Sequence, residues 1–390
     1  MDEVRIGIAG LGHRALWWIR QLIKMPGYRI TAIYDWIEPL HDPALALVDD
    51  GANVKRFTDY QDLLTYDGID AVALCVRQPE QGALAAQALE AGKHVSAEVP
   101  AAHSIEDCWR IVLAAERSGK VYQLAEQTRY WGFIQAWRKL VADGALGDVV
   151  YAEGQYISYL GATSFFQDLN TGKQYSVEQS CDHPEAKPTW FSQMPPIHYL
   201  PHELSPMLKV LDDRVTEVVG MSTQRPSRSH PQINQPDIQV ALMKTQKDTI
   251  LRLATGFTCH VPEDDHHWYH LHGTRGRVQW RRSPNERPMM WLSGRQMPHL
   301  AEADWRFERS DAPTEASGSG HGDADYYVHT TFREAVLHGK PLELDLYAAM
   351  DTAAPAILAA ESIARNSQLL PVPDFRPGAR RPRGQPPQDD

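Results

Sequence analysis

The sequence predicts an α/β protein of two domains: a doubly wound parallel sheet at the N-terminus, then an α+β domain built on an open, mainly antiparallel sheet. Three observations carry that expectation. Short apolar runs alternate with helical periodicity over the first 125 residues, as in βαβ units. A glycine turn separates the first run from the first helix. Beyond residue 142 the pattern becomes a succession of strands with turn residues between them. A chain of 390 residues also exceeds the roughly 250–300 at which a single core stops growing. The domains are expected at 1–125 and 126–375, with 376–390 as a flexible, proline-rich tail.

Taken in order, Val4–Ala9, Arg29–Tyr34, Ala71–Val76, His94–Ala97 and Val121–Leu124 are apolar runs of the kind buried on both faces of a parallel sheet. Residues 13–25 place Leu16, Ile19, Leu22 and Ile23 on one helical face and stop at Pro26-Gly27, and residues 80–91 stop at Gly92. Ser104 and Asp107 read as a capping box opening a helix from Cys108 to about Arg117. A helix over 130–142 ends the first pattern. Gly147–Tyr159, Val215–Met221, Ile238–Met243, Thr249–Thr255, His267–His272 and Arg277–Trp280 follow as strands, closed by helices Tyr326–Leu337 and Leu346–Ile363. Residues 161–198 read as a long irregular loop, functional or mobile.

Composition narrows the function. Hydrophobic residues at 43% and charged residues at 23% belong to a soluble globular chain. A net charge of −11 offers no excess of cations to replace counterions on a nucleic acid. No apolar run approaches the ~20 residues of a membrane span, and the first residues, MDEVRIGIAG, lack an export signal. Four scattered cysteines without a CxxC frame neither a disulfide scaffold nor a zinc site, and they read as reduced thiols in the cytoplasm.

The turn Gly10-Leu11-Gly12-His13-Arg14-Ala15 fits G-x-G-x-x-A between a strand and a helix, the dinucleotide-binding signature of a Rossmann domain. Gly10 permits the turn, Gly12 admits a pyrophosphate, and Leu11, His13 and Arg14 complete its expected contacts. Asp35 ends the second strand, where a carboxylate accepts from ribose hydroxyls and repels a 2′-phosphate. That selects NAD over NADP. Trp36 could cover the adenine. Val76, Gln78, Pro79 and Glu98, on the same carboxyl edge, are expected beside the nicotinamide ribose, and Gln127 is counted with them.

GIAGLGHRA, AGKHVSAEVPAA at 91–102 and GALGDVVYAEGQY at 144–156 resemble the Gfo/Idh/MocA group of NAD(P)-dependent enzymes. EVPAAHSIEDCW, YLPHELSP, HLHGTRGRV, GHGDADYY and VPDFRPG resemble, in order, the NAD-dependent glycosidases of glycoside hydrolase family 109, known for α-N-acetylgalactosaminidase activity. The resemblance implies a homodimer or homotetramer. It also implies that Val99 stands where many dehydrogenases of the group carry the lysine of E-K-P, that His202 matches the catalytic histidine, and that Tyr199 and Tyr130 are its companions. Tyr156, His198 and His321 are the expected substrate contacts.

The chemistry needs a nicotinamide face, a group that moves protons near pH 7, and a donor for an oxyanion. Oxidising a sugar C3 hydroxyl acidifies the C2 proton, so the C1 substituent leaves by elimination, water adds and the hydride returns. His202 has a suitable side chain for the proton. Each residue also has a plainer reading: His202 as a helix-capping histidine, Tyr199 and Tyr130 as core aromatics. A net sugar dehydrogenase releasing NADH and a non-catalytic NAD or sugar sensor are the rivals. No metal is expected, since Pro201 interrupts His198-x-x-x-His202, and His266, His270 and His272 share one strand face with Trp268 while His267 points the other way.

Overall fold

A computed structural model describes residues 2–262, 266–379 and 381–387. The first domain runs β1 (Val4–Ala9), α1 (His13–Leu22), β2 (Tyr28–Tyr34), α2 (His41–Leu45), β3 (Lys55–Phe57), α3 (Tyr60–Thr65), β4 (Ala71–Leu74), α4 (Gln78–Glu90), β5 (His94–Ala97), α5 (Ile105–Ser118) and β6 (Tyr122–Leu124). Its six strands are parallel, in the order β3-β2-β1-β4-β5-β6. The order reverses between β1 and β4, which is where ligands of such sheets bind. Ile6, Ile8, Val72, Leu74 and Val95 are fully buried between helices, which is why these strands read as continuous apolar runs. Ser104 caps α5 by accepting from the Asp107 N–H at 3.1 Å.

The second domain begins with α6 (Gly132–Ala142) and β7 (Val149–Ile157), followed by three short strands, β8 (Phe166–Gln167), β9 (Gln174–Tyr175) and β10 (Lys187–Pro188). Then come α7 (Pro201–Leu211), β11 (Val215–Ser222), β12 (Gln239–Thr245), β13 (Ile250–Gly256), β14 (His267–Gly273), β15 (Gly276–Gln279), β16 (Met289–Leu292), β17 (Ala301–Glu302), α8 (Ala324–His338), α9 (Leu346–Ala364) and β18 (Leu370–Pro371). The large sheet has the order β17-β16-β15-β14-β7-β13-β12-β11-β18 and is antiparallel except at β7–β13. One face buries Ala152, Leu251, Leu253, Tyr269 and Leu271 against helices, while Leu242 and Ile250 stand exposed on the other. Helix α9 packs on β11 and on α5 of the first domain, so the two units are stitched together from the C-terminal end.

Three expectations are corrected. The edge strand β3 was not foreseen, because Lys55 and Arg56 charge it as edges commonly are. The 161–198 loop is not irregular throughout: β8, β9 and β10 form a small sheet over a core of its own, including Phe165, Phe166, Tyr175, Phe191 and Phe257. Within the segment expected to be a flexible tail, the described residues 381–387 are held down by Arg381, which is buried and donates to both oxygens of Glu116 at 2.8 and 2.9 Å.

Candidate active site

The first turn has the shape a dinucleotide needs. Gly10 has φ +83°, and a Cβ there would lie 2.5 Å from the Cys75 carbonyl oxygen. Only glycine fits. Gly12 is the N-cap of α1, and a Cβ on it would meet nothing within 4 Å. Exposed His13 starts a helix with no acidic residue in its first turn, so its N–H groups and partial positive charge lie open to a pyrophosphate. Asp35, buried, accepts from the Leu11 N–H at 2.8 Å and the Ile37 N–H at 2.9 Å, tying the turn to the end of β2. Trp36 beside it is exposed, with the Arg77 guanidinium 5.3 Å above its ring. Gln127, past β6, has a buried Oε1 without a partner among the described residues. These groups fit a bound NAD: phosphate donors at the turn, a ribose acceptor, an aromatic cover and an unsatisfied acceptor at the carboxyl edge.

Arg14 and Glu98 do something else. Arg14 Nε donates to Glu98 Oε2 at 2.7 Å, and its two terminal nitrogens lie 3.2 and 3.3 Å from Asp325. Asp325 also accepts from Trp17 Nε1 at 3.0 Å and pairs with His321 Nδ1 at 3.1 Å. Burial opposes the Asp325 anion, but Arg14 and His321 outweigh it and hold the carboxyl far below its usual range. Arg14 therefore joins the two domains instead of standing free for a phosphate. His321 sits at φ +46° between Gly320 and Gly322, both also at positive φ, and on this turn its carbonyl accepts from Trp131 Nε1 at 2.7 Å while its imidazole meets Asp325.

On the second domain's side, Tyr199 ends the short turn Pro196–Tyr199 and Pro201 opens α7, the helical position proline favours. His202 follows. Its Nδ1 lies 3.1 and 2.9 Å from the two carboxylate oxygens of Glu126, which is fully buried. Thr128 donates to Glu126 Oε1 from its N–H at 2.9 Å and its hydroxyl at 2.8 Å. Burial disfavours the Glu126 anion, yet the charge and hydrogen bond of His202 with those from Thr128 prevail and lower its pKa. An ionised Glu126 puts the imidazole proton on Nδ1 and leaves the Nε2 lone pair free as a base.

Aromatic rings frame that base. Tyr156 meets His202 edge-on at 5.4 Å and stacks on His267 at 4.3 Å, and Tyr199 lies 5.6 Å from His202. Neither phenol has a hydrogen-bond partner among the described residues. Burial raises the pKa of both hydroxyls, so they remain donors at neutral pH. His267 pairs through Nδ1 with Glu203 Oε1 at 2.7 Å.

The structure brings together His202, Tyr199 and Tyr156, with Arg14, Glu98 and His321 close enough to act electrostatically on this group and on His267 beside it. It does not bring Tyr130. Although Tyr130 follows Glu126 by four residues, its hydroxyl lies 3.3 Å from Thr331 and its ring stacks on Tyr327 beneath Lys209, a buried site that pushes its pKa up to about 12. His198 is likewise occupied: its Nδ1 accepts from Gln78 Nε2 at 2.8 Å, and burial lowers its pKa to about 3. Gln78 also donates to the Ala102 carbonyl at 2.7 Å, so Gln78 and His198 join the domains. Glu126, Glu203 and His267 were missed. Glu126 stood beside the expected Gln127, and His267 was the strand residue facing away from its histidine neighbours, the two signals that could have found them.

Fold and cofactor turn together define an NAD-dependent enzyme of two domains. Residues 4–126 match the oxidoreductase family with an NAD-binding Rossmann fold, and residues 134–381 match the C-terminal domain of glycosyl hydrolase 109. The chain belongs to the Gfo/Idh/MocA oxidoreductase family, in its glycosyl hydrolase 109 branch. Similar curated proteins include a glycosyl hydrolase family 109 protein of Shewanella putrefaciens, 26% identical over 97% of this chain and 86% of that one, and glycosyl hydrolase family 109 protein 3 of Phocaeicola vulgatus, 24% identical over 97% and 74%. Among solved structures, levoglucosan dehydrogenase with NADH and levoglucosan superposes with a TM-score of 0.72 at 15% identity over 95% of this chain and all of that one. Scyllo-inositol dehydrogenase from Lactobacillus casei, with NAD(H) and scyllo-inositol, gives 0.69 at 16% over 95% and 99%. Among the described residues no helix is long and apolar enough to cross a membrane.

Proposed function

We propose that this enzyme is a redox-neutral glycosidase that cleaves a glycosidic bond through transient oxidation at C3 and keeps its NAD. The observation that carries the reading is the His202–Glu126 pair, a buried imidazole at the start of α7 held by a carboxylate that directly follows β6 of the NAD-binding sheet. Bound at the glycine turn, NAD supplies hydride acceptance and return. His202 Nε2 takes the proton of the reacting hydroxyl and passes it to water, which frees the same base for the C2 proton that a neighbouring carbonyl acidifies. Tyr199 offers an un-ionised phenol to the developing oxyanion. After the C1 substituent leaves and water adds, the imidazole returns its proton. Val99, in place of a lysine, supports this reading over net alcohol oxidation, because no ammonium stands next to Glu98 to polarise the hydroxyl.

The glycosyl hydrolase 109 relatives support a glycoside substrate, and exposed Met221, Leu242 and Ile250 on the open sheet face support a dimer or tetramer. Four unpaired cysteines suit a reducing compartment. The test is an aryl α-N-acetylgalactosaminide, with other aryl glycosides, incubated in deuterated water without added NAD. Release of the phenol with deuterium at sugar C2 is expected. Stoichiometric NADH would instead mean a sugar dehydrogenase, and NAD retention with every sugar unchanged would mean a sensor.

A further inference from the structure

A second imidazole stands beside His202, and its hydrogen-bonding character is the reverse. His267, on β14, has its ring centroid 6.5 Å from that of His202, with Tyr156 against both. Its side chain is 13% exposed, enough for one ring edge to meet a ligand. Behind it Glu203 is fully buried, with Oε1 at 2.7 Å from His267 Nδ1 and Oε2 without a hydrogen-bond partner among the described residues. The Tyr269 hydroxyl closes this side, 3.3 Å from Glu203 Oε1 and 3.1 Å from the His202 carbonyl.

Glu126 and Glu203 each have a buried Oε2 without a hydrogen-bond partner among the described residues, but Glu126 also accepts twice from Thr128 whereas Glu203 has only the Tyr269 hydroxyl at 3.3 Å besides His267, so Glu203 is the costlier of the two to ionise. Glu126 is the charged neighbour, already paired with His202, and two nearby buried carboxylates do not both ionise. Burial and the Glu126 charge accordingly raise Glu203 well above the usual range, while burial and the surrounding histidines keep His267 un-ionised. The protonated Glu203 then donates to Nδ1 of a neutral imidazole. That leaves the imidazole's own proton on Nε2.

We propose that His267 is a further catalytic residue of this site: Glu203 fixes it as the Nε2–H tautomer, and it donates a hydrogen bond to the sugar oxygen that gathers negative charge while His202 takes the proton. The assignment rests on the sugar-active reading above. No proton leaves His267. A neutral imidazole in a site this dry stabilises an oxyanion as a fixed dipole, so the same site presents an acceptor at His202 and a donor at His267.

Nitrogen-15 shifts of the histidine rings in the NAD-loaded protein, assigned with His267→Asn and His202→Asn, test it without any sugar. The expected result is Nε2 protonation, with Nδ1 unprotonated, at His267 from about pH 6 to about pH 8. An Nδ1–H or cationic His267 at neutral pH overturns the proposal. In turnover of the aryl glycosides, His267→Phe is expected to lower kcat/KM by roughly 100-fold with NAD binding unchanged, and His267→Gln, which keeps an N–H donor, to recover about tenfold of that. A His267→Phe enzyme as active as the parent would also overturn it. If the parent cleaves none of the glycosides, the glycosidase reading falls, and the tautomer measurement alone still decides the role of His267.

Discussion

His202 and Glu126 meet across the junction of the two domains, the imidazole Nδ1 2.9 and 3.1 Å from the carboxylate oxygens. Glu126 follows β6 of the cofactor domain and His202 opens α7 of the other, so the base is aimed by the half of the molecule that binds NAD. Glu126→Gln keeps an acceptor for Nδ1 but removes the charge that favours an imidazolium. The expected outcome is a fall in kcat of roughly 10²–10⁴-fold, with NAD affinity unchanged. Because the Glu126 pKa is depressed, its ionised form is in place at and above ordinary carboxylate values and is lost only as the pH falls below them. The parent's kcat should therefore keep its Glu126-dependent part down to the ordinary carboxylate range and lose it below, a loss that Glu126→Gln should not show. A glutamine variant with unaltered kcat and profile would remove Glu126 from the mechanism.

Asp35 serves two ends at once. Its carboxylate braces the glycine turn through Leu11 and stands where a ribose acceptor is required. Asp35→Ala should weaken NAD binding by about tenfold or more, which is at least ~1.4 kcal/mol, and should narrow the gap between NAD and NADP. Calorimetric titration with both cofactors checks it, and an unchanged preference would assign Asp35 to the turn alone.

The cofactor half of the site could be read from the sequence because its information is local: Gly10, Gly12 and Asp35 lie within one βαβ unit, and the backbone needs of Gly10 allow no other residue. The proton-handling half could be read only in part. Pro201 marked the start of a helix, which placed Tyr199 and His202 together, but the partner of His202 is 76 residues away in sequence. Tyr130 shares Glu126's stretch yet turns away after it, because the segment Thr128–Tyr130 winds into a helical turn that sends Arg129 and Tyr130 toward Glu343 and Thr331. The small sheet in 161–198 was hidden because its strands are two residues long, too short for any periodicity.

The C-terminal anchor gives a stability prediction with a definite sign. Burial alone would raise the Glu116 pKa, but Arg381, the Gly384 N–H and the Tyr347 hydroxyl prevail and hold it at about 2. A depressed carboxylate stabilises the fold above its unfolded value of about 4.3 and loses that contribution as the pH falls toward 2. Arg381→Ala should cost about 3 kcal/mol at neutral pH, as expected for breaking a buried ion pair. The gap between variant and parent should shrink below about pH 4. Denaturant melts at neutral and acid pH measure both, and a gap constant with pH would mean that packing, not charge, holds the segment.

The small sheet of 161–198 reaches back to the cofactor domain at two places. Gly172, at φ +74°, lies so close to Leu40 that a Cβ would stand 2.2 Å from Leu40 Cδ2, and His198 at the far end accepts from Gln78. Leu40 follows the Asp35 strand end and Gln78 opens α4 at the carboxyl edge, so the segment spans the edge on which a dinucleotide lies. An enzyme that returns its hydride every cycle gains from such a strap, since NAD need not leave between turnovers. Gly172→Val forces the strap off Leu40 and strains a left-handed backbone position, while His198→Ala cuts the other attachment. Each should speed NAD dissociation by about tenfold, measured by displacement of bound NADH fluorescence, and the pair by more than either alone. Dissociation as slow as the parent's in both variants would separate the strap from cofactor retention.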